Sequence, residues 1–460
     1  MNPNKSQTEN RGIGADFTSG SIWSHLLTFM LPLLLAGILN SIYNTVDTIV
    51  VGQHLGTAGN VAVSTGGRVM MIITLFSMSM ASAGQVIISQ QIGAGRREEI
   101  NGTIGTFFSL LGIMSAALCV IFLLLSRSLI TWLQTPETSF DGALAYLRIT
   151  SLGMPLLFGY NASCAILRGM GDSKRPLIFI AIAALINLVL DLVFVVKLEM
   201  GAAGTAWATF IGQGASFLFA AVYLYRRRTS FGFDFKARSF RMNGETVKLI
   251  LKIGIPMSAN GLFISATQVF MQGFINACGE VQSAAYNVAD KVLTIESVFS
   301  SAIQQAGSTI VAQNIGAGKT ERVREVVRKS LIMGLAFACV TSAVVLLFPE
   351  QIFRLFINDE AVMPYARPLM TLSTVPFLIS AVNSAFYAVT IGTGYSTLTM
   401  IAGFLDGVVL RITLSMLFGL VMHMGVTGYY MGHCFARLAP VSCNLWYYLS
   451  GKWKTRKILK

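Results

Sequence analysis

Apolar residues run along this chain in stretches of twenty or more, broken by short polar turns. A helix of roughly 20 residues, rising about 1.5 Å per residue, crosses the hydrocarbon core of a bilayer. The pattern predicts twelve such segments, near 25–53, 64–91, 102–126, 143–167, 177–196, 202–225, 248–276, 284–313, 330–349, 365–391, 397–420 and 426–450. Strands of a membrane barrel would alternate apolar and polar positions over about ten residues, which these runs do not do. The expected fold class is therefore an all-α integral membrane protein with turn chemistry between spans, as at Gly93-Ala94-Gly95 and Gly392-Thr393-Gly394.

The pattern also repeats. ASAGQVIISQQIGAGRREEI, ending at Ile100, matches QQAGSTIVAQNIGAGKTERV, ending at Val323, and Pro32 matches Pro256, at an offset of 223 or 224 residues. Gly169 and Gly171 fall on Gly392 and Gly394, and MGAAG at Met200 falls on MGVTG at Met424. Six spans per half put both halves into the membrane in the same orientation, a parallel repeat related by a pseudo-two-fold axis along the membrane normal. The expected domains are a cytoplasmic N-terminal segment 1–22, an N-lobe 23–225, a cytoplasmic linker 226–246, a C-lobe 247–450 and a basic tail 451–460. In such repeats substrate binds at the interface of the two halves.

Composition supports this class: of 460 residues 54% are hydrophobic and 12% charged, against about 25% charged in soluble domains. The net charge of +13 could suggest nucleic acid, but its distribution argues otherwise. Roughly 25 of the 34 Lys and Arg residues fall on the side shared by both termini and the linker, which is the positive-inside signal. A multi-pass protein of the cell inner (plasma) membrane with both termini cytoplasmic is expected, with no nucleic-acid partner. The first 20 residues are polar and do not read as a signal peptide. Six cysteines lie scattered in apolar runs without CxxC pairs, and the four histidines lack metal-ligand spacing. GAGKT at Gly316 to Thr320 resembles part of a phosphate loop, but Gln313 stands where the Walker pattern needs glycine, and its twin reads GAGRR. No catalytic motif or cofactor site appears, and the chain is not expected to be an enzyme.

The chemistry sits inside the spans. Asp47 lies in the last third of the first one, where a charge costs about 3 kcal/mol or more on insertion scales. Asn187 and Asp191, four apart in NLVLDLV of the fifth span, stack on one helix face. Counting from the outer ends at about 1.5 Å per residue, Asp47, Asp191 and Thr209 lie roughly 13, 9 and 12 Å deep. Such oxygen ligands suit a hard cation, and two crowded carboxylates suit a proton carrier. The bland alternative is that the acids cap backbone or pair with Arg68.

The two-fold six-helix repeat, the GAG turn after the second span, N-x-x-x-D in the fifth and G-T-A-W-A-T in the sixth together resemble the multidrug and toxic compound extrusion (MATE) family. The resemblance covers nearly the whole chain. It implies two six-helix lobes and export of amphipathic, often cationic, compounds in exchange for Na⁺ or H⁺. In the prokaryotic branch with an N-lobe cation site, motif by motif, it implies Asp47, Asn187, Asp191 and Thr209 as coupling ligands, with Thr205 one turn away as the alternative to Thr209. No further cofactor is implied.

In repeat register the second half has lost this cluster: Asp47 falls on Met271, Asn187 on Arg411, Asp191 on Ser415 and Thr209 on His433. It has buried charges of its own. Asp290 and Lys291 read as interfacial anchors; Asp406 and Arg411, five apart, are poorly spaced for one α-helical face. Tyr43, Asn44, Glu296 and Arg411 are candidate substrate-cleft residues, Glu296 alternatively being neutralised by Arg411 or Lys291. The function expected is a monomeric secondary antiporter for amphipathic small molecules, in contact with membrane lipids. Its rivals are a lipid-linked oligosaccharide flippase on the same scaffold, which would want a basic cleft, and a non-transporting membrane scaffold.

Overall fold

A computed structural model describes residues 14–456 and 458–459. Most of the expected N-terminal segment, and Lys457 and Lys460 of the basic tail, lie outside the described residues. Among the described residues there are helices and no strands. The long helices are α1 (Ile22–His54), α2 (Gly56–Gly93), α3 (Arg97–Trp132), α4 (Glu137–Leu152 and Met154–Gly169), α5 (Lys174–Lys197), α6 (Gly201–Arg226), α7 (Gly244–Ala277), α8 (Glu280–Gly316), α9 (Thr320–Leu347), α10 (Ala366–Gly392), α11 (Ser396–Val421) and α12 (Gly425–Ala436 and Leu438–Leu449).

Ten of these twelve, counting α4 with its 46° bend as one, are long and apolar enough to cross a membrane. The bend falls at Gly153, with Pro155 just beyond it; a proline there lacks the N–H that would continue the ladder. The other two, α8 and α12, hold the repeat positions of α2 and α6. They are more polar: α8 carries Asp290, Lys291 and Glu296, and α12 is interrupted at Arg437. Large apolar side chains such as Leu124, Leu185, Val269 and Leu347 remain exposed along the rods, as lipid-facing positions do. This is a multi-pass helical membrane protein.

The repeated glycines have one local cause. Gly95 and its counterpart Gly318 both take a left-handed backbone, φ +72° and +71°, which a side chain would disfavour. In each turn the amide three residues past the helix end reaches back five residues, Arg96 N–H to Gln91 O at 3.0 Å and Lys319 N–H to Asn314 O at 2.8 Å. That is the Schellman cap of a helix C-terminus. The GAGKT stretch is thus a helix end, and its Lys319 ammonium donates to the Thr18 carbonyl at 2.8 Å.

The chain divides into two compact units, Leu31–Gly254 with the N-terminal residues up to Asp16, and Phe17–Met30 with Ile255–Lys460. The division runs through α1 and α7, next to the repeated prolines Pro32 and Pro256, so the first turns of α1 group with the second half. In that unit Phe17 is 1% exposed. Gln313 Oε1 accepts from its N–H at 3.1 Å, and Asn314 Nδ2 and Arg322 Nη2 donate to its carbonyl, each at 3.1 Å. Within the first unit the connection between halves is also held. Ser109 donates to Phe240 O at 2.7 Å, and the Asn243 N–H donates to Thr106 Oγ1 at 3.1 Å. Gly105 allows this, since a Cβ there would sit 1.7 Å from Ser239 O. The expected linker is therefore docked on α3 rather than a free tether.

Candidate cation-coupling site

Three helices of the first unit build the site, and small residues set their spacing. Asn187 and Asp191 stand one α-helical turn apart on α5, both buried, at 3% and 0% exposure. Beyond Asp191 the helix widens into a π-helical turn, Leu192–Lys197. Opposite, α6 begins GAAGTA, and its Gly204 and Gly212 face α5. A Cβ on Gly212 would lie 3.1 Å from Asn187 Cβ, and one on Gly204 would lie 3.2 Å from the Phe194 carbonyl carbon. Gly66 of α2 does the same for α4: a Cβ there would meet the Tyr146 ring at 2.5 Å. Asp47 comes from the C-terminal half of α1.

The acids meet. The Asp47 and Asp191 carboxyl groups lie within hydrogen-bond reach of each other. Tyr43 and Tyr146 lie beside both. Two carboxylates can only accept, so a bond between them requires a shared proton. Five buried oxygens have no hydrogen-bond partner: Asp47 Oδ1, Asn187 Oδ1, both Asp191 oxygens and Thr205 Oγ1. Each such group costs about 1–3 kcal/mol if left dry, so together they favour a proton or a small cation with its water. Among the described residues neither acid has an ion pair, and Arg68 joins neither.

Asp47, Asn187 and Thr209 line a cavity of about 420 Å³, with Tyr43, Asn44 and Tyr146. Thr205, one turn from Thr209 on the same face, is fully buried behind it. Sequence reasoning did not find Tyr146, or Met70, Tyr160 and Gln213 of the same wall. Tyr146 has no motif around it, and its only signal is the glycine at position 66 on a neighbouring helix.

In the second unit the counterparts of the site also converge. Met271, Arg411, Ser415 and His433 line one cavity of about 150 Å³, where the oxygen cluster is replaced by an arginine. Arg411 Nη2 donates to Asp406 Oδ1 at 3.0 Å, and both side chains are buried. The five-residue spacing that suits no α-helical face is explained by the backbone: Leu405–Arg411 is π-helical, and there the i and i+5 positions stack. Asp290 lines the small cavity, 3.9 Å from His433 Nδ1, whereas Lys291 lies over the Phe356 ring at 5.8 Å. Glu296 is 2% exposed and accepts from Ser300 Oγ at 2.5 Å. Among the described residues it has no ion pair with Arg411 or Lys291; the charge that acts on it is that of Arg437.

A family model described as MatE matches residues 32–193 and, a second time, 256–417. The probable multidrug resistance protein YoeA of Bacillus subtilis is 29% identical over 78% of this chain and 79% of its own length. YpnP of the same organism, also a probable multidrug resistance protein, is 27% identical over 96% and 98%, and NorM of Thermotoga maritima is 23% identical over 95% and 94%. Among solved structures, a MATE protein in the straight conformation superposes with a TM-score of 0.89 at 21% identity, covering 95% of this chain and 98% of that one. An outward-facing multidrug resistance MATE transporter gives 0.89 at 21%, over 97% and 99%.

Proposed function

The chain belongs to the MatE family, and on that premise we propose that its first lobe is the coupling lobe of a drug/cation antiporter. It is a membrane transporter with small-molecule substrates, not an enzyme. Its relatives carry multidrug-resistance names, and the substrates assigned to it are amphipathic, often cationic, organic compounds. H⁺ or Na⁺ entering at Asp47 and Asp191 supplies the driving force. The observation that carries this reading is the set of unpartnered oxygens around two facing carboxyl groups, present in one lobe only.

Coupling follows from electrostatics. With the cation bound, the two carboxyl groups are compensated; without it they repel each other and attract an organic cation into the same cavity. Its volume suits a drug-sized ligand, and Tyr43, Tyr146 and Met70 offer aromatic and adaptable apolar surface. Drug and coupling ion therefore compete for one charge, and each favours a different conformation only through its differential affinity for the two. The protein is assigned to the inner membrane with cytoplasmic termini, as a monomer among lipids.

Binding of an organic cation to purified wild-type protein should release a proton or a Na⁺ ion. A pH indicator and a Na⁺ electrode distinguish the two. Asp47→Asn should release neither, and release undiminished in that variant would overturn the assignment.

A further inference from the structure

The linker docked on α3 does more than join the halves. From Arg226 to Thr246 it carries six Lys and Arg against two acids, and it is folded into a fixed shape. The Phe233 ring packs against Phe235 and Phe240, with centroids at 4.5 and 5.3 Å, and against Phe108 of α3 at 6.2 Å. Asn101 of α3 holds it with both ends of its amide. Its Oδ1 accepts from the Asp234 N–H and its Nδ2 donates to Ser239 Oγ, each at 3.3 Å. A cavity of about 620 Å³ opens here, lined by Lys236, Arg238 and Arg241 together with Asp234. Asp234 Oδ1 accepts from the Lys236 N–H at 3.1 Å and from Ser239 Oγ at 2.6 Å, and its charge also acts on Lys236. Among the described residues Arg238 and Arg241 form no ion pair. Three cations against one acid leave the lining two positive charges in excess. The acids nearest in sequence do not cancel them: Glu99 pairs with Arg96 at 3.4 Å, and Glu98 and Glu245 are matched by Arg97 and Lys248 on their own helices.

The cavity lies where three spans end: α3 begins at Arg97, α6 stops at Arg226 and α7 begins at Gly244. Lipid-facing surface starts close by. Val222, four residues back from Arg226, is 41% exposed, a distance of about 6 Å along the helix, and Met242 of the cavity wall is 50% exposed. A phospholipid has the same layout, a charged phosphate directly above apolar chains. Positive charge at this end would serve topology without any fold, yet aromatic packing and α3 hold three of the cations around one cavity. We propose that this cavity binds the phosphate of an anionic phospholipid headgroup, received by Arg238, Arg241 and Lys236. Guanidinium and ammonium donors suit phosphate oxygens, and basic clusters directly beside a span attract anionic lipid. A soluble phosphate would make no use of the apolar surface one turn away. The site is independent of the acid pair in the first lobe and stands whether or not that pair couples transport.

The test titrates the purified full-length protein in detergent with chain-labelled phosphatidylglycerol and phosphatidylcholine, and follows energy transfer from tryptophan. The two lipids share their chains and differ in headgroup charge. The wild type should bind phosphatidylglycerol about 25-fold more tightly, about fivefold for each unpaired cation. Arg238→Gln/Arg241→Gln, at two exposed positions, should bring it down to the affinity of phosphatidylcholine and leave phosphatidylcholine unchanged. Lys452→Gln/Lys454→Gln removes the same charge from the basic tail and should keep the preference. Excess sn-glycerol 3-phosphate, the headgroup phosphate without chains, should not displace the lipid. Equal affinity for the two lipids in the wild type, a preference that survives the arginine variant, an equal loss in the lysine variant, or displacement by glycerol phosphate would each overturn the proposal.

Discussion

Replacing Asp191 with asparagine should make the resting protein more stable while silencing its response to the coupling ion. Asp191 is fully buried, neither of its oxygens has a partner, and the Asp47 carboxyl lies within hydrogen-bond reach. Asparagine is nearly isosteric but brings an amide donor, so the contact between two acceptors becomes an N–H···O⁻ hydrogen bond. A hydrogen bond to a charged group contributes about 1.5–3 kcal/mol, and the like-charge contact is removed as well. The wild type should instead gain stability from its ligand. At a cation concentration about ten times Kd, mass action gives RT ln 11, about 1.4 kcal/mol. Thermal unfolding followed by tryptophan fluorescence, with Na⁺ replaced by choline in one series and pH varied in another, reads both effects. Asp191→Asn should melt above the wild type in choline and show no further rise with the coupling ion. A variant that melts below the wild type and keeps its full ion-dependent shift would refute this reasoning.

Gly212→Leu should inactivate the site by pressing α6 against Asn187 of α5. Its Cβ would already press on Asn187 Cβ at 3.1 Å, so drug efflux from expressing cells should fall at least tenfold while surface expression persists. Asp406→Asn leaves Arg411 buried without its counter-charge and should cost about 3–5 kcal/mol. The double variant with Arg411→Gln should recover most of that loss, as measured by chemical denaturation of the detergent-solubilised protein. Arg322→Ala removes the guanidinium that holds the carbonyls of Phe17, Ser19 and Gly20. It should destabilise by about 1–3 kcal/mol, with faster hydrogen exchange confined to the start of α1.

The sequence patterns carried the architecture a long way. Apolar runs and turn glycines located the helices, and the 223–224 residue offset found the repeat because both halves reuse one scaffold, down to matched Schellman caps at Gly95 and Gly318. Helix rise alone put Asp47, Asp191 and Thr209 at one depth, since straight helices leave little freedom along the membrane normal; of these, Asp47 and Thr209 line the cavity, with Asn187 one turn from Asp191. Lateral placement is another matter. Tyr146 enters the cavity only because Gly66 on α2 leaves room for its ring, a relation with no local signature. The Asp406–Arg411 pair was hidden by the assumption of an α-helix, whose periodicity the π-helical turn breaks. Grouping Phe17–Met30 with the second half was equally hidden: α1 is continuous in hydropathy, and only the bonds from Gln313, Asn314 and Arg322 reveal its attachment.

The differing chemistry of the two lobes suggests how duplication was used. Both halves keep a cavity at equivalent helix positions, one lined by Asp47, Asn187 and Thr209 and one by Asp290, Arg411 and Ser415. A charge that is costly within a membrane persists when it has a task, and the first half holds a pair of acids where the second holds a buried Asp406–Arg411 ion pair. On the function proposed above, the coupling role falls to the first lobe.

The most direct measurement is transport in proteoliposomes carrying ethidium as a fluorescent organic cation, with pH and Na⁺ gradients imposed separately. Wild-type protein should move ethidium against its gradient under one of the two, and Asp47→Asn and Asp191→Asn should each abolish this while inserting normally. If either variant pumps at the wild-type rate, the acid pair is not the coupling site.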